Sequence, residues 1–154
     1  MDAFSRELND LLVTTFWSVL KVEEQMLKAD HSLNLSINEL HLIESVGKED
    51  ERGKTISDIA LDLGIARPSA TVSINKLVEK GYVSKRKDPT DGRLVYVMLT
   101  EAGKKVDHVH SYFHIQMVRE ISKTLNEKEK DVLMKSLTKL NAFFQVKVDR
   151  GVGA

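Results

Sequence analysis

Five histidines occur in the 154 residues, and three of them, His108, His110 and His114, fall close together. His110 and His114 are four apart, so on a helix they share one face. That spacing lets two imidazoles reach one metal ion, and zinc is the natural candidate because nitrogen and oxygen ligands suffice for it. His108 points elsewhere, toward the Tyr112 side. The plainer reading of the pair is partly buried, hydrogen-bonded histidine. No other constellation suits catalysis. Cysteine is absent, which excludes disulfides, iron–sulfur clusters and thiol chemistry. There is no Gly-rich phosphate loop, no Gly-x-Ser-x-Gly and no His-Glu-x-x-His. No carboxylate pair or nucleophile stands at a mechanistic spacing beside the histidines. An enzyme is not expected.

The second chemistry is charge. The chain is neutral overall, but residues 1–63 hold 6 Lys/Arg against 13 Asp/Glu, residues 64–105 hold 9 against 4, and residues 106–154 hold 8 against 6. A basic island in a neutral chain is expected where one surface meets a polyanion. Lys85, Arg86 and Lys87 lie in a run followed by the turn formers Asp88-Pro89-Thr90-Asp91-Gly92-Arg93.

These residues need elements to hold them. Two prolines and eight glycines favour long helices. Residues 4–29 read as a helix that is apolar on more than one side, with Val13, Trp17 and Leu20 beside the main stripe, as a dimer interface would require. Ser36-Ile37-Asn38-Glu39 is a capping box opening a helix that Gly47 ends, and residues 48–54 read as a charged loop. Thr55 opens a short helix stopped at Gly64. Pro68 suits the first turn of the next, which buries Ala70, Ile74, Leu77 and Val78 and ends at Gly81. Residues 82–87 and 94–99 then read as two strands of a hairpin. Thr100 caps a long helix to about Thr124, and Asn126 to Glu129 opens a final one. Residues 151–154 read as a frayed tail. The expected fold is mainly α with a small β-hairpin wing.

A short helix, a turn at Gly64 and a second helix form a helix-turn-helix, whose second helix enters the major groove of DNA. Its outward side would carry Arg67, Ser69, Val72, Ser73 and Lys76, with Thr71 at the margin. Val72 could meet a thymine methyl, and Arg67 or Lys76 a guanine edge or a phosphate. Arg93, on a tight hairpin beside Asp91, is slim enough for a narrow minor groove.

Thr55 to Thr100 resembles the winged helix-turn-helix of the MarR family. The residues that carry the likeness are Ser57-Asp58-Ile59-Ala60, Leu77-Val78-Glu79-Lys80-Gly81-Tyr82-Val83, the wing Asp88 to Arg93, and Leu99-Thr100-Glu101-Ala102-Gly103. Many members have Arg where this chain has Gly92. The resemblance implies a single unit over 1–154, with a DNA-binding lobe at 36–100 and a helical dimerisation region at 1–30 and 101–150. It also implies a homodimer on a pseudo-palindromic duplex and an effector pocket, for which Trp17, Leu20 and Phe113 are candidates. Val22-Glu23-Glu24, Ser36 to His41 and His108 to His114 are similar to the FabT-type branch. That likeness implies control of lipid-synthesis genes by an acyl chain, delivered on acyl carrier protein. Zinc-sensing members imply another set: Glu24, His41, His110 and His114. The expected function is a ligand-responsive, homodimeric, DNA-binding repressor in the cytoplasm. The alternatives are a zinc-responsive regulator and a helical protein-interaction module without DNA binding. No apolar run approaches the roughly 20 residues of a membrane span.

Overall fold

The computed structural model describes residues 2–30, 33–49 and 52–150. Among the described residues, six helices and three short strands follow one another. They are α1 (Ala3–Ala29), α2 (Ile37–Gly47), β1 (Lys54–Thr55), α3 (Ile56–Asp62), α4 (Arg67–Glu79), β2 (Val83–Lys87), β3 (Val95–Leu99), α5 (Glu101–Lys123) and α6 (Glu127–Arg150). The chain falls into two compact units, residues 1–107 and 108–154. Residues 151–154, read from sequence as a frayed tail, lie outside the described residues.

In the first unit, local chemistry starts and stops each helix. Asp2 caps α1 by accepting the Ser5 N–H at 2.7 Å. Ser36 and Glu39 cap each other reciprocally at the start of α2, as their spacing predicts. Thr55 accepts the Asp58 N–H to open α3. Helices α3 and α4 end alike. Gly64 and Gly81 take positive φ, of 60° and 79°. Gly81 N–H donates to the Val78 carbonyl at 3.0 Å and Tyr82 N–H to Leu77 at 3.0 Å. Gly64 and Ile65 donate to Leu61 and Ala60 in the same pattern. Both are Schellman endings, which glycine adopts without a Cβ penalty.

The strands form one antiparallel sheet in the order β1-β3-β2, with Val83 opposite Leu99 and Lys87 opposite Val95. The hairpin matches the sequence expectation. Strand β1 corrects it: Lys54, read from sequence as loop, and Thr55, read as a helix start, pair with Val97 and Tyr96. A two-residue strand is too short to show any periodicity.

The core of this unit joins Leu40, Leu42 and Ile43 of α2, Ile59 of α3, Ile74 and Leu77 of α4, and Val83 and Val97 of the sheet. Leu27 and Met26, near the end of α1, and Val106 of α5 close it. Val78 departs from expectation, being 39% exposed. It follows Leu77 by one residue, about 100° round the helix, and so leaves the buried stripe.

Two glycines permit close packing rather than a turn. A Cβ on Gly103 would sit 2.1 Å from the Tyr82 carbonyl oxygen. A Cβ on Gly47 would meet the Asp107 carboxylate at 2.5 Å, and Gly47 is the last helical residue of α2 rather than a left-handed stop. Thr100 completes the join between α5 and the end of α4. Its N–H donates to Tyr82 O, and its hydroxyl donates to Gly81 O at 2.6 Å and accepts the Gly103 N–H.

In the second unit, Asn126 and Glu129 cap each other reciprocally at the start of α6, at 2.8 and 3.1 Å. Helix α6 leaves Leu133, Leu137, Phe143 and Phe144 exposed.

Candidate nucleic-acid interface

Helix α4 divides its residues cleanly. Ala70, Ile74 and Leu77 are fully buried. That i, i+4, i+7 stripe locks the helix by one face onto the core. The opposite face exposes Arg67, Ser69, Val72 and Lys76, with Thr71 and Ser73 half-buried at its edge. Val72 is 55% exposed, which leaves its methyl groups accessible on this face. The Thr71 hydroxyl donates to its own helix at Arg67 O, 2.9 Å away. It therefore keeps only acceptor capacity for a base or a bridging water.

The wing is built from one carboxylate outward. Asp88 Oδ1 accepts the backbone N–H groups of Thr90 at 2.8 Å and Asp91 at 2.9 Å, together with the Thr90 hydroxyl. These bonds favour the ionised form, the Thr90 hydroxyl most of all, and hold the Asp88 carboxyl at about 2. Asp91 Oδ1 in turn accepts the Arg93 backbone N–H at 3.0 Å. Sequence reasoning places Asp91 beside Arg93 as its orienter. In the structure the Asp91 bond is to the Arg93 main chain, and the Arg93 side chain is exposed. Lys85, Arg86, Lys87 and Arg93 are all exposed.

One side-chain contact ties the wing to the helix. Lys85 Nζ donates to Asn75 Oδ1 of α4. Just past the C-terminus of the helix, Lys80 Nζ ties it to the start of α2, donating to both Glu39 carboxylate oxygens at 2.8 Å and to the Asn34 carbonyl at 2.7 Å. Burial pushes the Glu39 carboxyl up, but the Lys80 hydrogen bond, the Ser36 N–H and the Lys80 charge outweigh it, so it lies below its ordinary range. Lys54 plays a similar part under α2 and α3: buried, it donates to Ser45 O and to Asp62, which lowers the Asp62 carboxyl chiefly through that bond. None of these anchors was singled out from sequence. Lys80 and Glu39 are 41 residues apart, and only the fold makes them neighbours.

The other candidate residues lie as follows. Trp17 of α1 is 63% exposed and Leu20 is half-buried. Phe113, in the second unit, is half-buried and edge-on to His114 at 5.5 Å between ring centres. The structure brings His110 and His114 together, with their Nε2 atoms 2.9 Å apart and His110 fully buried. Glu24 is corrected. It is exposed and pairs with Lys28 at 3.8 Å, whereas its neighbour Glu23 is 3% exposed and lies 3.5 Å from His41 Nε2.

A buried-face helix following a helix and a glycine turn, with a basic hairpin fixed beside it, defines a winged helix-turn-helix DNA-binding protein. The sequence pattern of the MarR family matches residues 33–94. The fold matches FabT of Streptococcus pneumoniae in complex with DNA at a TM-score of 0.87 and 32% identity, covering 92% of this chain and 97% of that one. It matches MepR of S. aureus, also in complex with DNA, at a TM-score of 0.74 and 20% identity, covering 89% and 97%. In sequence it is 24% identical over 142 residues to the transcriptional regulator AdcR of Streptococcus pyogenes, 90% of this chain and 95% of that one. The chain belongs to the MarR family and is a DNA-binding transcriptional regulator. No described helix is long and apolar enough to cross a membrane.

Proposed function

We propose that the chain acts as a homodimeric repressor on a pseudo-palindromic operator of lipid-synthesis genes, released by an acyl chain, free or on acyl carrier protein. The observation that carries the repressor reading is the fixed pairing of the exposed α4 face with the pinned wing: Arg67, Ser69, Val72 and Lys76 would read the major groove while Arg93 enters the minor groove. The dimer reading rests on apolar surface that water does not favour. Phe4, Leu11, Phe16 and Trp17 are exposed on α1, and Leu133, Leu137, Phe143 and Phe144 on α6. The 32% identity to FabT supports the lipid-gene reading, and Trp17 and Leu20 of the first unit and Phe113 of the second are each candidates to contact the effector. Footprinting on the DNA upstream of the chain's own gene tests the operator. A protected duplex of two half-sites about one helical turn apart supports the reading, and no protection overturns it. Titration with acyl-loaded carrier protein tests the effector, and unchanged DNA affinity removes it.

A second reading has its own observation. The His110 and His114 nitrogens face each other at 2.9 Å. In a tetrahedral zinc site with Zn–N distances of about 2.0–2.1 Å, two nitrogens lie roughly 3.3 Å apart, so the rings would move only slightly. Zinc would then fix the two rings and hold α5 in one conformation. Bound zinc should raise the melting temperature by mass action. His110→Ala should abolish that rise and His108→Ala should not. An equal rise in wild type and His110→Ala ends the zinc reading.

A further inference from the structure

The wing carries positive charge on both faces of its sheet. Side chains alternate across a strand. On β3, Val97 is fully buried in the core, so Tyr96 belongs to the opposite face. On β2, Val83 and Lys85 share the core-side parity, and Lys85 reaches α4. Arg86, directly opposite Tyr96, therefore lies on the outer face. Arg52, just before β1, joins it there. Its guanidinium lies over the Tyr96 ring at 5.4 Å and donates to the Tyr96 hydroxyl at 3.0 Å, while Arg86 donates to the Arg52 carbonyl at 3.3 Å. Both arginines are exposed. Among the described residues neither has a carboxylate at ion-pair distance; Asp88 feels the Arg52 charge, but one of its oxygens is committed to the wing loop.

A hairpin lying in a minor groove has a phosphate backbone on each side of it. The α4-side face, with Lys85, meets the strand that also borders the major groove occupied by α4. The outer face meets the other strand. We propose that Arg52, stacked on Tyr96 and paired with Arg86, forms a phosphate clamp that grips the far strand of the minor groove. Tyr96 pre-orients the guanidinium, so little side-chain freedom is lost on contact. Guanidinium suits the task because it offers several N–H donors to phosphate oxygens in a fixed plane.

Phosphate contacts are counted by salt. Each neutralised phosphate contributes about 0.9 to the slope of log affinity against log salt. Arg52→Gln keeps the stem over Tyr96 and removes the charge. The test is fluorescence anisotropy of the full chain on the duplex from upstream of its own gene, over about 50–200 mM salt. The slope should fall by about 0.9 for each protomer engaged, with an unchanged melting temperature. Arg52→Lys should restore the slope. Arg52→Met replaces the Gln variant if that one does not fold. A wild-type slope in the uncharged variant overturns the clamp, and so does weaker binding at an unchanged slope, which marks a structural role. Wild type without any salt-dependent affinity would instead remove DNA binding at this duplex, a separate failure.

Discussion

At the scale of single residues, Asp88 controls the wing from a position that never touches the core. One oxygen gathers Thr90 and Asp91, and Asp91 then holds the Arg93 main chain. Asp88→Ala should therefore loosen the loop and spread Arg93 over many positions. DNA affinity should fall by roughly tenfold, the scale of one well-placed contact, while the melting temperature falls only slightly because the loop is exposed and solvent screens its bonds. Anisotropy and calorimetry together check this. The sign with pH is also set. A carboxyl held at about 2 in the folded state, against an ordinary 3.8, keeps its bonds at every pH above the ordinary value. They are lost only as pH falls through about 2. A carboxyl-carbon NMR titration should place the Asp88 midpoint near that value, and wing order should not vary between pH 5 and 8. The residues of this loop were readable from sequence because turn chemistry is local. Glu23 was not, because a one-residue choice on a helix is decided by what packs on it. Arg52 was not, because its partners, Tyr96 and Arg86, lie 44 and 34 residues away.

At the scale of elements, the helix ends and the close approaches make opposite demands on glycine. Gly103 sits in α5, where alanine would ordinarily stabilise by about 1 kcal/mol. Here the added Cβ would strike a backbone oxygen at 2.1 Å, and backbone cannot swing aside. Gly103→Ala should destabilise the chain by about 1–3 kcal/mol, the usual range for overpacking, and displace α5 from the end of α4. Gly47→Ala meets the Asp107 side chain first, which can turn aside where backbone cannot, and should be milder. Chemical denaturation of the two variants side by side decides it. The Leu-Thr-x-x-Gly pattern was visible in sequence, but its reason is the Thr100–Gly81 and Gly103–Tyr82 contact, which only the fold supplies.

The Glu39–Lys80 anchor works at the same scale, tying the recognition helix to the start of α2 and to Asn34. Lys80→Met leaves a mostly buried carboxylate alone and should cost about 2–3 kcal/mol, below the full penalty for a buried pair because Lys80 keeps some exposure. Glu39 has its carboxyl depressed below 4.5 on folding. Its contribution to stability is present above that value and lost as pH falls through the lower, folded one. Glu39→Gln should therefore flatten the acid limb of the stability curve below about pH 4.5, which melting temperatures across that range would show.

For the whole molecule, the proposed dimer would let two weak heads act together. One α4 face and one wing make a small interface, and single modules of this size bind modestly. Linking two of them through a dimer makes the second contact intramolecular and multiplies affinity by about 10²–10⁴ without any new contact. The exposed apolar residues of α1 and α6 are where that link is proposed to form. Leu11→Glu on α1 or Phe144→Glu on α6 places a charge among these apolar residues, where desolvation without a partner is costly. Either variant should shift the chain from dimer to monomer in light scattering. Affinity for a single half-site duplex should be unchanged, since no head residue has been altered. Affinity for the full operator should drop at least about 100-fold. A monomeric variant that holds the full operator as tightly as wild type would show that one head suffices and that the proposed dimer plays no part in recognition.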